Sequence, residues 1–269
     1  MELIKYIFLG ILQGITEPLP ISSSGHIYIF KAMFNTKMFN DLVLEIFLNF
    51  ASFIAILYIF KDDIKELVKG TYDYLKNKSK KSKKYFEYLK MIVIGTLPVA
   101  ILGLLVKDYM EDLLSKNVFI VGIGFLITGI GLLLVINSNG TKTDKDITPR
   151  DALLVGIFQA ISLLPGISRS GLTLVGSLLI GLDKKSALKY SFMLYFPVSI
   201  ATMLVGIGDF SFVNRDLSIL FYYLISMVSA GICTYYSYNW LTKIVEKEKL
   251  WRFSLYLFAL AMFSLMFFI

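Results

Sequence analysis

Between Gln13 and His26 the chain reads Gln-Gly-Ile-Thr-Glu-Pro-Leu-Pro-Ile-Ser-Ser-Ser-Gly-His, gathering an amide, a carboxylate, four hydroxyls and the one imidazole of the sequence. Gln13 and Glu17 are four apart, so they share a face for as long as a helix lasts. Pro18 disfavours helical backbone at the residue before it, which predicts a helix that stops at Glu17 and leaves the carboxylate at its end. Pro20 then forces an extended turn. Ser22, Ser23 and Ser24 follow where a new helix can start, and their hydroxyls and backbone N–H groups are suited to cradle an anion. Ser23 and His26 are three apart, a spacing that lets an imidazole reach a hydroxyl and activate a weak oxygen nucleophile.

A second segment, Leu-Pro-Gly-Ile-Ser-Arg-Ser-Gly-Leu-Thr from Leu164 to Thr173, is a diverged copy of the first. Laid without gaps over Gly156 to Gly171, the stretch Gly10 to Gly25 is identical at eight of sixteen positions, at a constant offset of 146. The same offset pairs Leu48 with Leu194, Phe50 with Phe196, Ile54 with Ile200 and Ala55 with Ala201. Arg169 stands in the place of Ser23, and Leu163 in the place of Glu17. One copy therefore supplies a carboxylate and an imidazole, the other a guanidinium flanked by Ser168, Ser170 and Thr173. A planar guanidinium among hydroxyls is suited to gripping phosphate bidentately. Glu45, near the start of the next apolar stretch, reads equally as interfacial or functional, with Asn49 one turn on sharing its face.

The elements that must hold these groups are helices in lipid. Of the 269 residues, 56% are hydrophobic and 17% charged, against about 45–50% and about 25% in soluble domains. Apolar stretches long enough to cross a ~30 Å hydrocarbon core are expected at Leu42 to Phe60, Leu89 to Val106, Val118 to Ile136, Ala187 to Gly206, Leu217 to Trp240 and Trp251 to Ile269. Two more, Leu3 to Phe30 and Ala152 to Leu182, are interrupted by the two motifs. Irregular backbone at membrane depth must be buried in protein or line a polar cavity, so both are predicted to be broken, re-entrant helices. Each half then holds one broken segment and three spans. Three is odd, so the halves enter from opposite faces: an all-α integral membrane protein of inverted-topology repeats, about 1–137 and 147–269, in a single membrane domain. Broken helices at matching positions of such repeats point to a site near the midplane.

Ten lysines fall between Lys61 and Lys90, the mark of a cytoplasmic loop under the positive-inside rule. That placement puts twenty basic residues inside and six outside, with Arg169 left over in the second broken segment. Both termini are then expected outside. The net charge of +7 is accordingly assigned to lipid headgroups and not to nucleic acid. Cys233 and His26 are single, which excludes a disulfide framework, a cysteine zinc cluster and any two-histidine mechanism, including that of phosphatidic-acid-phosphatase-like enzymes. No cleaved signal peptide is read at Met1 to Phe8.

Gln13 to Glu17, continued by Leu19 to His26, and Pro165 to Thr173 resemble the two signature elements of the undecaprenyl-pyrophosphate phosphatase family of cell-wall lipid recycling. The resemblance covers nearly the whole chain. It implies hydrolysis of undecaprenyl diphosphate to the monophosphate and phosphate, a site opening to the outer face of the cytoplasmic membrane, and a divalent metal. Carried over by position, the functional residues are Gln13, Glu17, Ser23, His26, Ser168, Arg169, Ser170 and Thr173, with Ser22 and Ser24 beside them. Pro18, Asn49 and Ala51 depart from the usual residues. On this reading Arg169, Ser168, Ser170 and Thr173 hold the terminal phosphate, and Glu17 with Gln13 holds Mg²⁺ or Ca²⁺, hard ions that favour oxygen. Ser23 deprotonated by His26, His26 itself, or a water it activates would attack. The partners implied are the bilayer and the polyprenyl diphosphate, with a homodimer left open. Because inverted repeats with broken helices also build transporters, a polyprenyl-phosphate flippase is the alternative.

Overall fold

The computed structural model describes residues 2–34, 42–116, 118–208 and 217–267. Among them the chain forms eleven helices: α1 (Glu2–Thr16), α2 (Ser23–Phe34), α3 (Leu42–Ile59), α4 (Lys61–Asn77), α5 (Lys83–Lys116), α6 (Val118–Leu134), α7 (Pro149–Ile161), α8 (Arg169–Leu179), α9 (Lys184–Gly208), α10 (Leu217–Glu246) and α11 (Trp251–Phe267). Both interrupted segments are broken where the sequence predicts. α1 ends at Thr16, and the Glu17 N–H closes its last turn on the Gln13 carbonyl at 2.9 Å. α7 opens on Pro149 behind a capping box of Thr148 and Asp151, which satisfies two orphan donors reciprocally.

The solvent preference is inverted. Leu104 is 81% exposed and Leu204 66%, whereas Gln13, Thr128, Gln159 and Thr234 are buried. In water that distribution would expose apolar area with no return, but hydrocarbon around the helices accepts it, and the buried polar groups hold the helices together. The chain is an all-α integral membrane protein. Lys83–Val106, Lys184–Val205 and Ile219–Glu246 are long and apolar enough to cross by length and composition alone. α6 and α11, 17 residues each, span about 26 Å at ~1.5 Å per residue, the short end of what a bilayer requires. They pack on one another.

The lysine-rich stretch expected as a cytoplasmic loop is largely helical. α3 bends by 72° at Phe60 into α4, which continues to Asn77 before a short turn leads into α5. Phe60 is locked at the bend by Phe192 and Tyr238, with ring centroids 5.7 and 5.4 Å away. Spacing along 61–77 places Ile64, Leu67 and Thr71 on one side, so the segment is helical because one stripe can be covered while the lysines stay solvated. Lys189 of α9 pairs with Asp63 of α4 at 2.7 Å and with Asp144 at 3.1 Å, tying α4 and the segment between the halves to one span.

Helices of the two halves interlock. α1 lies along α10 and α7 lies along α5. A Cβ added at Gly10 would stand 2.2 Å from the Ser226 carbonyl oxygen, and one at Gly156 would stand 2.6 Å from that of Gly95. The duplicated glycine thus does one job twice, allowing backbones to approach where lipid supplies no hydrophobic drive between helices.

Candidate active site

The two breaks face each other across a cavity of about 240 Å³. Gln13 and Glu17 from the end of α1, Ser22, Ser23 and Ser24 from the start of α2, and Ser168, Arg169 and Ser170 from the start of α8 line it, with Glu45 and Asn49 of α3 and Tyr195 and Ser199 of α9. Two helix N-termini therefore open on one space. Each carries partial positive charge, and together they favour an anion.

The duplicated serines cap these helices. Ser168 Oγ accepts from the Gly171 N–H at 3.1 Å, and Ser22 Oγ accepts from the Gly25 N–H at 3.2 Å. The divergent position joins the two halves. Arg169 Nη2 donates to Glu17 Oε1 at 3.2 Å, and its guanidinium lies 4.8 Å from the Tyr195 ring centroid. Glu17 Oε2 accepts from Ser23 Oγ at 2.6 Å and from Gln13 Nε2 at 3.1 Å, and Gln13 Nε2 also donates to Asn49 Oδ1 at 2.7 Å. Short hydrogen bonds to a carboxylate are the strong, charge-assisted kind. Glu17 is the hub: it collects a serine hydroxyl, an amide and a guanidinium.

Two placements differ from the sequence reading. His26 does not meet Ser23. Its Nδ1 lies 2.7 Å from the Ser22 carbonyl oxygen and its Nε2 lies 2.7 Å from the Tyr256 hydroxyl, and the residue is buried. A spacing of three permits the contact with Ser23, but Glu17 has taken the hydroxyl and α11 has taken the ring. Thr173 does not line the cavity. It is buried under α8, donating to the Arg169 carbonyl at 2.9 Å and meeting Ser191 of α9. Thr173 shares a face with Arg169 but stands a turn, about 6 Å, further along α8, where Ser191 of α9 covers it, and there it supports the arginine's backbone.

α6 went unnoticed among the motifs. Thr128 Oγ1 accepts from the Ser168 N–H at 3.0 Å, and Gly166 turns at φ +79° against the Val121 backbone, a left-handed conformation that favours glycine. A Cβ at Gly124 would lie 2.2 Å from the Pro165 carbonyl oxygen. The signal was present as Gly122, Gly124, Gly129 and Gly131 in one apolar helix, a density that marks close backbone approach. Gly124→Ala is expected to displace the 165–168 turn and to destabilise the protein by about 1–3 kcal/mol. Thermal unfolding of the detergent-solubilised variant, compared with Gly131→Ala, checks this, since a Cβ at Gly131 meets only ordinary contacts.

A carboxylate holding a hydroxyl, opposite a guanidinium at two helix N-termini, in a cavity walled by lipid-exposed helices, defines a membrane-embedded enzyme that handles a phosphorylated amphiphile. The comparisons give that class a family. The sequence model described as "Bacitracin resistance protein BacA" matches residues 6–263, and this chain belongs to that family. Similar proteins include "Undecaprenyl-diphosphatase 2" of Bacillus thuringiensis, 38% identical over 98% of this chain and 97% of the relative. Others are "Undecaprenyl-diphosphatase 1" of Bacillus licheniformis, 37% identical over 99% and 98%, and the "Undecaprenyl-diphosphatase" of Oceanobacillus iheyensis, 37% identical over 94% and 92%.

Proposed function

We propose that this protein hydrolyses undecaprenyl diphosphate to undecaprenyl phosphate and inorganic phosphate, recycling a cell-wall carrier lipid. The observation that carries the reading is the Ser23–Glu17–Arg169 constellation, set in a family whose similar members are named for that activity. The cavity, about 240 Å³, is smaller than the ~300–1,000 Å³ of pockets that enclose whole drug-sized ligands. It suits the diphosphate headgroup alone, and the polyprenyl chain stays in the bilayer beside it.

Ser23 attacks the terminal phosphorus while its proton passes to Glu17 Oε2. The bridging P–O bond breaks, and its electron pair leaves with undecaprenyl phosphate. Glu17 gives that proton to the departing oxygen, then takes a proton from the water that attacks the phosphoserine and returns it to Ser23 Oγ as the serine P–O bond breaks and phosphate leaves. Arg169 and the first-turn N–H groups of α2 and α8 bind the oxygens on which charge develops, an interaction that stabilises the transition state more than the ground state. His26 has no place in these proton transfers.

The donor set fits a hard divalent cation. Glu17 and Glu45 are two carboxylates in one cavity, Gln13 turns its amide nitrogen to Glu17 and Asn49 so that its oxygen is the free end, and the sulfur in the lining is the thioether of Met203, a soft donor that a hard ion does not select. Among the described residues no three of His, Cys, Asp and Glu converge on an ion. That pattern suits Mg²⁺, which binds one or two carboxylates and completes its shell with substrate phosphate and water. Glu17, Glu45 and Gln13 would hold such an ion, and the chemistry it would supply is charge neutralisation on the phosphates.

The cavity opens to the outer face on this reading. Glu45 stands fourteen residues from Ile59 on α3, and Ser199 fourteen from Lys185 on α9, about 21 Å in each case. The lysine-rich end of both helices is thus far from the site, and lysines mark the cytoplasmic side. The correspondence of the two halves at one offset, with α1 on α10 and α7 on α5, supports the inverted repeat that places them so.

The test is phosphate release from a long-chain isoprenyl diphosphate by the detergent-purified protein. Wild type is expected to turn over, to stop in chelator and to recover on addition of Mg²⁺ or Ca²⁺, while Ser23→Ala is expected to lose about 10³-fold in kcat. Full activity in Ser23→Ala would remove the serine route. No turnover by a folded wild type would bring lipid translocation forward.

A further inference from the structure

Tyr256 sits on α11, 230 residues from His26, and does not line the cavity. Its hydroxyl oxygen nevertheless lies 2.7 Å from His26 Nε2, and the two rings stack with centroids 5.7 Å apart and planes at 10°. Phe125 of α6 closes on the imidazole edge-on at 5.7 Å. The ring is held at both nitrogens and by two aromatic neighbours.

The protons follow from the acceptors. The Ser22 carbonyl can only accept, so the Nδ1 that faces it at 2.7 Å carries a hydrogen. A neutral imidazole then has its lone pair on Nε2 alone, and the Tyr256 hydroxyl donates there. Neither nitrogen is left for Ser23. What the imidazole does hold is Ser22, a non-glycine residue at φ +66°, in a region such residues rarely adopt. The Ser22 carbonyl receives both the His26 backbone N–H at 3.3 Å and Nδ1–H at 2.7 Å. Ser22 precedes Ser23, so its backbone angle sets where the Ser23 hydroxyl points.

We propose that Tyr256 is a positioning residue for the reaction. Through His26 it fixes the left-handed turn at Ser22 and thereby aims Ser23 Oγ at the phosphorus. His26 is a strut in this relay and not a base. The proposal rests on the reading of Ser23 as the attacking group, and the experiment separates the two.

Full-length detergent-purified wild type, Tyr256→Phe, His26→Asn, His26→Ala and Ser23→Ala are compared for kcat and KM on the same isoprenyl diphosphate across pH. Tyr256→Phe keeps the stacked ring and loses only the hydroxyl, so the fold is retained. It is expected to lower kcat about tenfold or more, as misaimed reacting groups do, with KM and the acid limb of the kcat profile unmoved. His26→Asn places an amide N–H at the δ position, able to donate to the Ser22 carbonyl, and is expected to keep about tenfold more activity than His26→Ala. Wild-type kcat in Tyr256→Phe would overturn the proposal. So would an acid limb displaced by Tyr256→Phe, or His26→Asn as inactive as His26→Ala, because either would make the imidazole a proton carrier. Failure of the serine reading is seen separately, as full activity in Ser23→Ala.

Discussion

Replacing Glu17 with glutamine is expected to lower kcat about a thousandfold, with the protein still folded and still eluting as wild type in detergent. The side chain is nearly isosteric, so packing at the end of α1 is preserved. Three functions vanish together. An amide cannot take the Ser23 proton, and positioned general bases contribute roughly 10²–10⁴-fold. Its oxygen is a weaker acceptor for the Ser23 hydroxyl, now held at 2.6 Å, and its neutral head no longer balances Arg169 at 3.2 Å. The arginine remains in place but unpaired, so it should hold the product more tightly. Inhibition by inorganic phosphate is therefore expected to strengthen while kcat falls, a combination that simple loss of structure does not produce. The double variant Glu17→Gln with Ser23→Ala is expected to be no slower than either single, since groups that act as one unit are far from additive. Additive losses would mean that Glu17 serves the reaction apart from Ser23.

Much of this site could be read from local rules. Pro18 and Pro20 after Glu17 stop α1 and leave its carboxylate at a cavity, and the motif Ser168-Arg169-Ser170 starts α8 because serine is a good cap and the turn before it contains Pro165 and Gly166. Gln13 and Glu17 share a face because four residues make about one turn. What spacing leaves open has a common cause. A spacing of three lets His26 reach Ser23 but leaves the ring free to turn either way, and the choice belongs to Tyr256 and Phe125, distant in sequence. Thr173 reads as a neighbour of Arg169 on one face, and its depth a turn further along α8, against Ser191 of α9, is set by packing that spacing does not show. Lys61 to Lys90 reads as a cytoplasmic loop on its lysines alone, while the narrow stripe that makes α4 helical depends on what α5 offers it. Local chemistry and local breaks are legible. Which of two equivalent neighbours a side chain selects is a tertiary decision.

The second large effect is expected at Arg169, where the charge and the shape of the side chain can be separated. Arg169→Ala should lower kcat/KM by about 10³-fold or more, the range in which a guanidinium aimed at a transferring phosphoryl group acts. Arg169→Lys retains a cation at a similar depth but loses the planar fork, the stacking on Tyr195 at 4.8 Å and the ability to hold Glu17 and a phosphate oxygen at once. A loss of about 10²-fold is expected for lysine, most of it in kcat, because a point charge still attracts the diphosphate but does not match the three oxygens of the phosphoryl group in flight. Inorganic phosphate gives an independent reading, since its inhibition should weaken strongly in the alanine variant and only mildly in the lysine one. The duplicated architecture sharpens the expectation. Arg169 occupies the position that Ser23 holds in the other half, so the two copies of one helix start bring the Ser23 hydroxyl and the Arg169 guanidinium to the same cavity. If lysine matched arginine in kcat, charge alone would suffice at that wall, and the bidentate grip would have to come from the helix N-termini.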